Sequence, residues 1–179
     1  MTRPSYHRGG ISRREFLGRS AALGATAVAA PHAVAEIRNP TATDMVPFGK
    51  TGLEICRIGM GTGSNGGRVQ RDLGQEGFTK LIRHGWERGI RFIDTADNYR
   101  THGMVREAIQ GLPREKLWIQ SKMPWDRKDL GGIPKKPLEV LDRYRKELGV
   151  DYIDSLLIHC ATTNTWHDDL ARMRDAFAE

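Results

Sequence analysis

Four short apolar runs recur along the chain: RIGMGT (57–62), IRFID (90–94), LWIQSK (117–122) and YIDSLLIH (152–159). Each is too short for a helix and is bounded by glycine or polar turn residues, so each reads as a strand. The last is apolar almost throughout at Leu156, Leu157 and Ile158, the pattern of a strand covered on both faces. Between the runs the spacing becomes helical. Phe78, Leu81, Ile82, Gly85 and Trp86 fall at 0, 3, 4, 7 and 8 and predict one face of a helix that begins near Leu73 and ends at Gly89. Val105, Ala108 and Ile109 mark the inward side of a second helix, His102 to Gly111. Pro137 opens a third, whose face is Leu138, Leu141, Tyr144 and Leu148. A fourth begins near Trp166, with Leu170, Met173 and Phe177 facing in. Ahead of all this, Met45–Ile58 predicts a hairpin about the turn GKTG (49–52).

Strands near 58, 91, 117 and 153 repeat about every thirty residues, which is the βα repeat of a barrel or of an open parallel sheet. A (β/α)8 barrel takes ~250 residues, and four units are present, so on the barrel reading the chain holds about half. Exposed edges at the first and fourth strands then predict self-association, two copies closing into one eight-stranded barrel being one form of it.

Composition narrows the function. A chain of 179 residues with 39% hydrophobic content fits one soluble domain. The formal charge of +6 invites a nucleic-acid reading, but residues 1–35 hold five Arg and one Glu, so +4 of it lies there. The remainder is too mildly basic for a polyanion partner. Cys56 and Cys160 have no zinc or CxxC spacing. Cys56 is placed at the entry to the first main strand and Cys160 after the far end of the fourth, beyond disulfide reach.

Residues 1–35 read as an address. SRREFLG (12–18), with Arg13, Arg14, Phe16 and Leu17, resembles a bacterial twin-arginine export signal. The weakly apolar AALGATAVAA (21–30) follows, and Ala33 and Ala35 form an A-x-A cleavage site. Ten such residues cannot span ~30 Å of hydrocarbon, so no stable membrane span is expected. The expectation is a twin-arginine translocase substrate, periplasmic or extracellular, with a linker over 36–44 and the folded domain over 45–179.

The chemistry gathers at strand ends. Asp94 closes the second main strand and Tyr99 follows it, Lys122 closes the third, and His159 closes the fourth. Parallel α/β folds present catalytic groups at that end. One rival uses Gly61, Gly63 and Gly66, which spell G-x-G-x-x-G after a strand, as in a Rossmann dinucleotide site. There the acid lies about 20 residues beyond the glycines, whereas Asp94 is 28 past Gly66. The loop also carries Arg68, Gln70 and Arg71, and no helix N-terminus is expected against the glycines.

TGL (51–53), RIGMGT, GIRFIDTADNY (89–99), the strand-end Lys122 and GVDYIDSLLIH (149–159) together resemble the aldo-keto reductase family, over nearly all of residues 45–179. The resemblance implies a (β/α)8 TIM-type barrel, truncated to about its first four βα units. It also implies NADP(H)-dependent reduction of a small aldehyde or ketone without metal, and a catalytic tetrad of Asp94, Tyr99, Lys122 and His159. Gly61, Thr62 and Asp94 would meet the nicotinamide, and the later cofactor contacts of the family lie outside this chain, so full NADP(H) binding is not expected of it. A phenol of pKa ~10 is a poor acid at neutral pH, and a neighbouring ammonium favours its phenolate. In this scheme Asp94 holds Lys122, and His159 orients the carbonyl or relays the proton. Trp125 and Trp166 wall the substrate pocket or cover the rim. Asp97 reads as a turn or cap residue, Asp154 as part of the fourth strand's structural pattern, and His84, Lys135 and Lys136 as surface. His159, Cys160, His167 and Asp168 lack metal-ligand spacing. The non-enzyme alternative is an inactive exported half-barrel acting as a binding or interaction protein.

Overall fold

A computed structural model describes residues 39–124, 134, 136–162, 164 and 166–178. The chain divides at residue 39 into two units, and every element below belongs to the second. Residues 1–35, expected to be an export signal, together with Trp125, Lys135 and the glycines at 131 and 132, lie outside the described residues.

The hairpin forms where expected. Strands β1 (Met45–Pro47) and β2 (Glu54–Cys56) pair antiparallel, Val46 opposite Ile55. The turn closes by Phe48 N–H donating to Leu53 O at 2.8 Å, and Gly49 and Gly52 supply the positive φ it needs. Cys56 is therefore a buried hairpin residue, not the entry to the main sheet. It and the exposed Cys160 are both free thiols.

The main sheet has four parallel strands in chain order, β3 (Gly59–Gly61), β4 (Phe92–Asp94), β5 (Trp118–Pro124) and β6 (Ser155–His159). Helices α1 (Arg68–Asp72) and α2 (Gly74–Glu87) follow β3, α3 (His102–Ile109) follows β4, α4 (Pro137–Leu148) follows β5 and α5 (Trp166–Ala178) follows β6. Sequential order without reversal is the wall of a barrel. A Rossmann sheet reverses at its switch point.

Register sorts the side chains. Asp94, Gln120 and Ser155 are aligned, as are Lys122 with Leu157 and Pro124 with His159, and these share one face. Ile93, Ile119, Ser121, Met123, Leu156 and Ile158 point the other way, toward the helices. There Phe78, Ile82, Ile93, Val105, Ala108, Ile119 and Leu148 form the main core, and Met123, Tyr144 and Met173 a second cluster. Full burial of each such large apolar side chain is worth roughly 1.5–3 kcal/mol. Gly85 lets α2 close onto the sheet, since a Cβ there would lie 2.2 Å from Met60 Sδ. Gly89 and Gly149, both at positive φ, end α2 and α4.

Leu81, Leu138 and Leu170, expected on inward faces, are instead 48%, 46% and 50% exposed. Each lies on the flank of its stripe, while Phe78 with Ile82, Tyr144 with Leu148, and Met173 face the sheet and neighbouring helices. Leu157 is 41% exposed, so β6 is not covered on both faces at that position. The strands are shorter than the apolar runs. Residues 152–154 form a lead-in to β6, because Asp154 turns its carboxylate onto the chain and accepts from Ile119 N–H at 2.8 Å and Arg114 at 2.6 Å.

Candidate active site

The floor is the C-terminal edge of β4. Asp94 is its last residue, Thr95 and Ala96 are fully buried, and a 3₁₀ turn over Asp97–Tyr99 lifts Tyr99 above the edge. Lys122, on the next strand, reaches back to both Asp94 oxygens at 2.6 and 2.7 Å and to Thr95 O at 3.0 Å. Its three ammonium protons thus have three acceptors. The Lys122 nitrogen lies 5.0 Å from the Tyr99 ring centroid. His159, at the end of β6 and 8% exposed, meets the same ring edge-on, centroids 5.4 Å apart at 88°. Carboxylate, ammonium, phenol and imidazole come from the ends of three successive strands and converge on one spot.

The glycine loop explains itself here. A Cβ on Gly63 would strike the Tyr99 ring, and one on Gly67 would strike Tyr99 O at 2.4 Å. Arg71 donates to Tyr99 O and, at 3.0 Å, to Gly66 O. The glycines cradle the tyrosine segment. A helix does start against them, contrary to expectation: Gly67, at φ 81°, caps α1. Its left-handed backbone lets the chain turn into a helix at once, which Arg68, Gln70 and Arg71 do not prevent. The Rossmann reading therefore falls on strand order and on a filled loop.

The expected cofactor and substrate residues are placed differently. Gly61 is exposed beside Asp94, with nothing within 4 Å of where a Cβ would stand. Thr62 is fully buried, its hydroxyl 2.9 Å from that of Thr101, so its side chain holds the loop and does not face the opening. Trp166 opens α5, 44% exposed, with its ring against His167 at 4.0 Å. Trp125 is outside the described residues. His84 is exposed, as is Lys136, which pairs with Glu139.

Two features escaped the sequence reading. Gln120 donates to Asp94 Oδ1 at 2.6 Å. Its signal was its position two residues before Lys122, hence on the same face. His102 is buried behind β5, with Nδ1 2.8 Å from Glu147 and Nε2 3.0 Å from Ser121 Oγ. Burial holds its pKa below the ordinary value, and Glu147 partly opposes that. Asp97, His102 and Glu147 offer ligand atoms within 4.8 Å of one another. Arg143, however, bridges Asp97 at 2.8 Å and Glu147 at 2.7 Å and is kept firmly protonated, first by its hydrogen bond to Asp97. The cluster is an ion-pair lock that ties α4 to the tyrosine turn.

A parallel βα wall with its polar groups at the C-terminal strand ends has the layout of a (β/α)8 barrel. Comparison with known proteins makes this specific: the model of the aldo/keto reductase family matches residues 57–178. The chain belongs to the aldo/keto reductase family. It is 34% identical to glycerol 2-dehydrogenase (NADP(+)) of Saccharomyces cerevisiae, over 61% of this chain and 31% of that one. It is 29% identical to an NADH-specific methylglyoxal reductase of Escherichia coli, over 64% and 41%. Among solved structures, a Bombyx mori aldo-keto reductase in complex with NADP shares 26% identity at a TM-score of 0.57, covering 78% of this chain and 48% of its own. A thermostable aldo-keto reductase gives 30% and 0.54, covering 72% and 48%. The chain spans less than half the length of these relatives.

Proposed function

We propose that residues 45–179 supply the catalytic face of a carbonyl reductase that turns an aldehyde or ketone into an alcohol with NADP(H). The observation that carries this is Lys122, held by Asp94 and set beside the Tyr99 ring while His159 meets the same ring. A bound nicotinamide cofactor would supply the hydride, with Gly61 and Asp94 nearest to it. Tyr99 gives its proton to the carbonyl oxygen. The Lys122 ammonium stabilises the negative charge left on the phenol. Asp94 keeps that ammonium in place, and His159 orients the carbonyl. One relative's name carries NADP(+) and another's NADH, so both cofactors belong in the assay.

Fluorescence titration of the full chain with NADPH and NADH, followed by turnover of small aldehydes, tests the reading. Micromolar binding with turnover supports it. A folded chain that neither binds nor turns over is the non-catalytic half-barrel instead. We further propose that residues 1–35 direct export by the twin-arginine route and that 36–44 link them to the domain. Arg13→Lys with Arg14→Lys is expected to retain the protein in the cytoplasm on cell fractionation, and unchanged export overturns this. The open strand edges favour pairing of two copies, and a monomer in analytical ultracentrifugation would rule that out.

A further inference from the structure

A line of hydrogen bonds runs down the inner face of the sheet and ends on Asp94. Trp118 Nε1 donates to Ser155 Oγ at 3.0 Å, Ser155 Oγ donates to Gln120 Oε1 at 3.0 Å, and Gln120 Nε2 donates to Asp94 Oδ1 at 2.6 Å. Chemistry sets its direction. An indole N–H can only donate, so the Ser155 oxygen is an acceptor there and its one proton must go onward. It goes to the Gln120 carbonyl, which leaves the amide NH2 facing the carboxylate. The far end is anchored, because Trp118 meets Phe48 of the hairpin edge-on at 5.3 Å.

We propose that this line is a positioning device for the ion pair, with Gln120 as the positioning residue that acts through Asp94. The last torsion of an aspartate is soft and roughly two-fold, so the carboxylate plane needs a third contact to hold it. Gln120 on Oδ1 provides that contact, and in that orientation both oxygens face the Lys122 nitrogen, which stays beside Tyr99. The Gln120 amide donates to the Asp94 carboxylate, so its influence on Lys122 passes through that group. The importance of the device for catalysis rests on the reading of Tyr99 and Lys122 given above, but the device itself is a property of the folded chain.

The test is nitrogen-detected NMR of lysine side-chain ammonium groups in the full chain. The unsubstituted protein is expected to show a protected Lys122 ammonium. Gln120→Leu, close in size but without donor or acceptor, is expected to speed its hydrogen exchange about tenfold or more, the order for losing one charged hydrogen bond. Ser155→Ala is expected to do so more weakly, and Ser155→Thr, which keeps the hydroxyl, to restore the original rate. Unchanged exchange in folded Gln120→Leu overturns the proposal, as does a missing protected signal in the unsubstituted chain. Should Gln120→Leu fail to fold, Ser155→Ala decides by the same readout. If exchange responds as expected while the chain shows no turnover, the positioning line stands and the reductase reading is the one that fails.

Discussion

The phenol ring of Tyr99 rests on the bare Cα of Gly63, so closely that a Cβ there would stand 2.4 Å from ring carbons Cε2 and Cζ and 2.9 Å from the hydroxyl oxygen. The first glycine-rich loop of the sheet thus sets the height of the proposed acid. Gly63→Ala is expected to lower stability by about 1–3 kcal/mol, the usual cost of overpacking, and to reduce turnover beyond what that loss explains. Gly61→Ala is the control for stability, since its Cβ meets nothing within 4 Å. Urea denaturation of the two variants checks the pair. Equal midpoints would show that Tyr99 moves aside freely.

Tyr99→Phe keeps the ring against Gly63 and His159 and removes only the hydroxyl. In an enzyme that holds the whole barrel, reduction is expected to fall by about 10²–10⁴-fold, the range for losing a positioned proton donor, with NADPH affinity unchanged. Turnover and fluorescence titration on one preparation separate the two effects. Unaltered turnover would take the proton-donor role away from Tyr99.

Asp154 ties the entry of β6 to β5, through Ile119 N–H and Arg114. Its side chain is 17% exposed and that of Arg114 20%, so this is not an ordinary surface pair. Asp154→Ala leaves the Ile119 amide without this acceptor while Arg114 keeps the Leu117 and Tyr152 carbonyls, and a loss of about 1–3 kcal/mol is expected. A urea midpoint within experimental error of the parent would show that water replaces the carboxylate without cost.

His102 makes stability depend on pH. Its folded pKa lies below the ordinary 6.5, chiefly through burial, with Glu147 and Asp97 opposing and Arg143 reinforcing the shift. Above 6.5 both folded and unfolded chains carry it neutral, and its contribution is complete. As pH falls from 6.5 toward the lowered value, only the unfolded chain takes up the proton, so stability is lost across that window. His102→Gln, which does not titrate, is expected to flatten this part of the profile. Denaturation midpoints at pH 7 and pH 5 make the comparison, and an unchanged slope would assign the effect to other groups.

Much of this protein is legible in its sequence. The four apolar runs and their helical intervals determined the βα order, because side-chain period is a local property of the backbone. Asp94, Lys122 and His159 stood out as charged or polar residues closing apolar strands. What sequence spacing does not carry is the direction in which a flanking side chain turns. Leu81, Leu138 and Leu170 match a helical stripe yet point outward, since which flank is covered depends on the neighbouring helix. Spacing alone argues against a phosphate loop at the glycines 61–67, but what they do hold, the ring of Tyr99 more than thirty residues on, shows only in the fold. Gln120, Ser155 and Trp118 are unremarkable in a strand pattern, and only the parallel register of β5 against β6 aligns them into a line that ends on Asp94. Local periodicity decided the elements. Contacts between distant segments, formed only when the sheet closes over its helices, decided the site.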